Sequence, residues 1–186
     1  PKGAQVLAMD LPEHGGRKES AESFAPWDTV PELRAFLAWA RQRWETISLR
    51  ATSLGAWFSL LAFGSSQLKQ ALLVSPVLDM ERLIRDMMGW AGVSEEQLKA
   101  AGEIDTGFGE TLSFAYLQYA IAHSVQRWDT PTAILYAGQD HLTGRATVEE
   151  FVRRFGCGFS VMEDGEHWFH TPEQLSFLRS WEEAHL

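Results

Sequence analysis

Ala51-Thr52-Ser53-Leu54-Gly55-Ala56-Trp57 follows a short apolar run and opens a stretch of helical spacing, so it sets a serine on a sharp strand-to-helix turn. Such a turn pushes the hydroxyl beyond the edge of a sheet, provided small residues two before and two after the serine let strand and helix approach. Ala51 and Gly55 occupy those places. The usual pattern has glycine at both, and alanine is the smallest departure that carries a Cβ. A serine that merely caps a helix would give the same heptapeptide, so the surroundings decide between the two readings.

Working outward, residues 4–11, 46–52, 70–77, 132–136 and 158–163 read as buried strands, because turn residues bracket each run and none is long enough for a stable helix. Between them, Leu33, Phe36, Leu37, Ala40 and Trp44 line one face of a predicted helix, and Val148, Phe151, Val152 and Phe155 repeat the pattern. Thr171-Pro172-Glu173-Gln174 opens the last helix with a capping threonine, a proline suited to the first turn and a glutamine able to reach back. Strands alternating with helices predict an α/β fold with a mostly parallel sheet covered on both faces. Ligands of such sheets bind where loops leave the carboxyl ends of the strands.

Between residues 79 and 130 the alternation stops. Leu83, Met87, Met88, Trp90, Phe108, Phe114, Tyr116, Leu117 and Tyr119 fall on segments read as amphipathic helices joined through Gly92 and Gly107-Phe108-Gly109. Residues 80–129 are therefore expected to form a helical lid over the sheet's carboxyl edge, within a single domain spanning residues 1–186. Met87, Met88, Trp90, Phe108 and Phe114 are candidates for an apolar substrate pocket, although each also fits a core position.

The 186 residues are 45% apolar and carry a net charge of −9, which suits one globular domain and disfavours phosphate backbones and anionic lipid surfaces as partners. Nucleic acid is not an expected partner. No apolar run reaches the roughly 18 residues of a membrane span. Cys157 is the single cysteine, which excludes an internal disulfide and a four-thiolate zinc site and fits a reducing compartment, the cytoplasm.

Two further strand ends carry chemistry. Tyr136-Ala137-Gly138-Gln139-Asp140-His141 puts a carboxylate beside a glycine turn, where it can accept a hydrogen bond from an imidazole; an Asx-turn or helix cap is the competing role. Asp79, after residues 70–77, is a rival acid. Asp164-Gly165-Glu166-His167-Trp168-Phe169-His170 offers a histidine in a loop, with a pKa suited to proton transfer near neutrality. His167 is preferred to His170, which stands at the helix entrance, and to His141, which points away from the acid's side of the segment. The spacing of His167 and His170 lacks a third metal ligand nearby, so no metal site is expected.

The order Ser53, Asp140, His167, each after a successive strand, is the order of an α/β-hydrolase, and nearly the whole chain resembles that family. Residues 6–17, with Asp10, Pro12, His14 and Gly15, look like the family's fourth-strand segment. Ser53 then matches the nucleophile, Asp140 the acid and His167 the base, with the lid inserted after residue 79. On this alignment the third strand and the oxyanion loop lie upstream of Pro1, so the domain is expected to be incomplete at its N-terminus. The resemblance implies a serine hydrolase acting on a carboxylic ester, or a thioester or small amide, of a small molecule. The backbone N–H of Leu54 would supply one oxyanion donor, and no metal or organic cofactor would be needed. A non-catalytic relative serving as a binding module is the competing reading, kept open by Ala51 and the missing oxyanion loop.

Overall fold

A computed structural model of the chain describes residues 5–19 and 21–185. Its elements in chain order are α1 (Pro26–Arg41), β1 (Leu49–Thr52), α2 (Ser53–Phe63), β2 (Ala71–Val74), α3 (Met80–Ala91), α4 (Glu95–Ala101), β3 (Glu103–Asp105), β4 (Thr111–Ser113), α5 (Phe114–Ala122), β5 (Thr132–Ala137), α6 (Arg145–Phe155), β6 (Gly158–Met162) and α7 (Pro172–His185). A short 3-10 turn, Gly15–Arg17, precedes α1. The main sheet runs β1-β2-β5-β6 with every pair parallel. The expected α/β class with a mostly parallel sheet is the architecture observed.

Side-chain alternation along the strands sorts the core into two layers. Ala71 and Leu73 of β2 and Ile134 and Tyr136 of β5 point to one face, where they meet Trp57, Phe58 and Leu60 of α2 and Val148 and Phe151 of α6. Val30, Leu33 and Leu37 of α1 belong to the same cluster. Leu72, Val74, Leu135 and Ala137 point the other way and pack with Trp181 of α7 and with Phe169. β2 is buried along its whole length because both of its faces are covered. At Leu73, which is wholly buried, truncation to alanine would cost about 2–5 kcal/mol. Arg50 of β1, on the α7 face, pairs with Glu182 at 2.9 Å and so fastens the last helix across the sheet.

Two expectations change. Residues 5–11 form no strand, and Ala4 lies outside the described residues. Val6 is 94% exposed and Leu7 is exposed as well. A run of this composition becomes a strand only where a neighbour supplies a hydrogen-bonded ladder, and β1 pairs with β2 alone in the described sheet. Nor is the stretch between β2 and β5 all helix. β3 and β4 form an antiparallel hairpin, with Glu103 opposite Ser113, and Gly107-Phe108-Gly109 makes its turn rather than joining two helices. Three-residue strands are too short to show a period of two. α3, α4 and α5 are the helices of this stretch, residues 123–129 are irregular, and Gly92 closes α3 in the left-handed region at a φ of 66°. Leu83, Ile84 and Met88 of α3, Leu98 of α4, Leu112 of β4 and Leu117 of α5 are buried in the same cluster as the sheet's first face.

Burial also pushes the Cys157 thiol up to about 11, which favours the protonated form at neutral pH. No helix among the described residues is long and apolar enough to cross a membrane.

Candidate active site

Ser53 is the first residue of α2, and its backbone stands at a φ of 50°. A side chain there meets its own backbone, at a cost of about 1–3 kcal/mol that the surrounding structure must hold in place. β1 delivers the chain directly into α2, and the Val77 N–H donates to the Ser53 carbonyl at 3.1 Å, tying the loop after β2 to the turn. Ala51 is buried, as the close approach of strand and helix requires. Gly55 differs from expectation, because a Cβ there would meet nothing within 4 Å. Leu54 is the second residue of α2, so its N–H is among the first-turn donors that no carbonyl of the helix can take.

The carboxyl ends of β5 and β6 bring the other two residues in. Asp140 Oδ1 accepts the N–H groups of Leu142 at 2.8 Å and Thr143 at 3.1 Å. Its Oδ2 accepts His167 Nδ1–H at 2.8 Å. The Asx-turn and the pairing with imidazole, which the sequence posed as alternatives, are therefore both made, one by each oxygen. The Asp140 side chain is fully buried and that of His167 is 13% exposed. With the proton on Nδ1, His167 Nε2 is left as an acceptor, and the Ser53 hydroxyl donates to it at 2.8 Å.

Gly138 lets these two loops approach. Its N–H donates to the Met162 carbonyl at 2.8 Å, and the Gln139 N–H donates to that of Gly165 at 2.9 Å. A Cβ on residue 138 would lie 2.3 Å from the Glu163 carbonyl oxygen and 2.7 Å from its Cα, both backbone atoms unable to swing aside. Gly138→Ala is therefore expected to push the β5 and β6 ends apart, lowering stability by about 1–3 kcal/mol and loosening the hydrogen bond between Asp140 and His167. Thermal unfolding with the NMR signal of the His167 Nδ1 proton read on the same preparation checks this.

The other candidates lie elsewhere. Asp79 caps α3, accepting the Arg82 N–H at 3.0 Å. His141 is exposed. His170 pairs with Glu166 at 3.1 Å on the surface. His14, His123 and His185 each give Nδ1–H to a nearby carbonyl, those of Pro12, Tyr119 and Trp181. The five pocket candidates do not gather in one place. Met88 is core, Met87 and Phe114 pack against the core's edge, and Trp90 and Phe108 are exposed and meet edge to face at 6.2 Å. Helical spacing identifies an apolar face but not whether it turns toward a ligand or toward the protein.

A different aromatic group gathers around Trp57 of α2. Trp57, one helical turn after Ser53, stacks on Tyr116 at 6.0 Å, and Trp27 meets Tyr116 and Tyr119 edge to face. The Tyr116 hydroxyl is buried there without a partner, and burial raises its pKa.

A parallel sheet wound in this order, with a serine on the turn into a helix and an acid and a histidine after the following strands, is the α/β-hydrolase fold, and the chain has it. Among solved structures it is similar to Est1E from Butyrivibrio proteoclasticus with ferulic acid bound, at 17% identity and a TM-score of 0.75, covering 94% of this chain and 73% of that one. Mouse alpha/beta hydrolase domain-containing protein 10 aligns at 13% identity and a TM-score of 0.68, covering 89% and 70% of the two chains. The esterase domain of a Rhodothermus marinus protein aligns at 16% identity and a TM-score of 0.59, covering 83% and 67%. No family model and no curated protein matches the sequence.

Proposed function

We propose that the protein is a serine hydrolase that cleaves a carboxylic ester of a small molecule through an acyl-enzyme. The observation that carries this reading is the unbroken relay from the Ser53 hydroxyl through His167 to the buried Asp140 carboxylate. Ser53 Oγ attacks the ester carbonyl carbon while its proton passes to His167 Nε2, and Asp140 stabilises the imidazolium so formed. The carbonyl oxygen, now an anion, takes the N–H of Leu54. As the tetrahedral species collapses, the alcohol leaves with the proton from Nε2. Water, deprotonated by the same nitrogen, then attacks the acyl carbon and releases the acid with Ser53 restored.

Residues 80–129 leave the carboxyl end of β2, beside the serine turn, and act in this reading as a lid over the site. The same chemistry admits thioesters and small amides. The esterase neighbours favour an ester, and the one holding ferulic acid makes an aromatic acyl group worth including among substrates. The test is labelling with a fluorophosphonate probe, alongside hydrolysis of p-nitrophenyl esters of increasing chain length and one feruloyl ester. The wild type is expected to label and Ser53→Ala not to. An unlabelled wild type, or equal labelling of the variant, would remove Ser53 as the nucleophile.

A further inference from the structure

Gln174, in the first turn of α7, is a polar side chain only 5% exposed. Burying an amide costs several kcal/mol unless it is bonded, and every polar atom of this one is engaged. Its Oε1 accepts the His170 N–H at 2.9 Å, while Nε2 donates to the Asp164 carbonyl at 3.3 Å and to the Glu166 carboxylate at 3.5 Å. Its own N–H goes to Thr171 Oγ1 at 3.2 Å. The three loop partners stand on both sides of His167 in the chain, two before it and one after. Phe169, between them, is fixed in the core against Trp181. Among the described residues, backbone bonds give the segment the Gly165 N–H to Met162 and Phe169 N–H to Glu166 turns and tie it to the β5 end through the Gln139 N–H on the Gly165 carbonyl, and none of these involves His167 or its neighbour Trp168.

We propose that Gln174 is a positioning residue: by gripping residues 164, 166 and 170 it sets where the His167 ring stands between Ser53 and Asp140. The proposal rests on the reading of His167 as the base. Gln174 touches none of the reacting atoms and acts through the loop. A helix cap accounts for the bond between the Gln174 N–H and Thr171 and for Oε1 reaching back to the His170 N–H; the two Nε2 bonds to residues 164 and 166 run outward from the helix to the loop and have no capping role. A displacement of about 1 Å between base and nucleophile lowers a rate by about 100-fold, so loosening this grip has a measurable consequence without loss of the fold.

The experiment compares wild type with Gln174→Met, which keeps the length without any hydrogen bond, and Gln174→Glu, which keeps the acceptor and loses the donors. Rates of fluorophosphonate labelling and ester hydrolysis are read with thermal unfolding and with the NMR signal of the His167 Nδ1 proton. The expected result is a 10- to 100-fold fall in kcat and labelling rate, KM within threefold, an unfolding temperature within a few degrees, and a Nδ1 proton broadened by solvent exchange. Unchanged kcat and an unchanged proton signal in the folded variants would overturn the proposal, as would a rate loss that only follows the unfolded fraction. If Gln174→Met does not fold, Gln174→Glu decides. If the wild type neither labels nor hydrolyses, the reading of His167 as base fails on its own, and the proton signal alone then decides whether Gln174 positions the ring.

Discussion

Replacing His167 with alanine is expected, on the mechanism proposed, to lower kcat for ester hydrolysis by about 10⁶-fold, the loss seen where a serine hydrolase is deprived of its base. Nε2 is the acceptor of the Ser53 proton, and the other five histidines are committed elsewhere or exposed, so no neighbouring imidazole can take over. Asp140 keeps its two backbone donors in the variant, and only Oδ2 loses its partner. The expected loss of stability is accordingly about 1–3 kcal/mol, the range for one buried group left unpaired. His170→Ala removes a surface pair and should stay within tenfold of wild type. Steady-state kinetics with p-nitrophenyl esters separate the two, and a reversal of their effects would exchange the roles of His167 and His170.

Asp140→Asn is expected to cost about 10⁴-fold in kcat, and the reason lies in the hydrogen bonds around it. The Leu142 and Thr143 N–H groups both donate to Oδ1, so an asparagine must set its carbonyl oxygen there. Its amide nitrogen then faces His167 Nδ1 and donates to it, which drives the ring proton onto Nε2. That tautomer has no lone pair for the Ser53 hydroxyl. The variant is nearly isosteric and should fold as wild type does. Asp79→Asn, in which asparagine caps α3 as aspartate does, should keep full activity. Kinetics with NMR assignment of the His167 tautomer check both; full activity in Asp140→Asn would move the acid's role to Asp79.

The runs at 70–77 and 132–136 were legible because the burial of β2 and β5 leaves a mark in composition, although β2 is only Ala71–Val74; 46–52 and 158–163 also hold strands, Leu49–Thr52 and Gly158–Met162, but these are not the buried strands expected, since β1 has one buried residue and β6 none. Residues 5–11 carry a similar mark with no ladder beside them, since composition reports a tendency to be buried and not the presence of a partner. The hairpin of β3 and β4 left too few residues for any period. At the site, Ser53, Asp140 and His167 could be picked out because each follows a strand, and sheet topology gathers strand ends. Sequence preferred Asp140 to Asp79 but could not supply the hydrogen bond from His167 to Asp140, which spans 27 residues. Nor could it supply the contact of Gly138 with the backbone of Glu163, since a glycine in a turn reads the same whether its neighbour is solvent or another strand.

If Ser53 is the nucleophile proposed, its φ of 50° sets thermal endurance against turnover at one position. Glycine would sit there without strain, so a search for hardier variants guided by melting temperature alone would select it early and discard the hydroxyl. Position 53 should therefore be held fixed in any stabilisation campaign, and gains sought in the exposed faces of the helices instead.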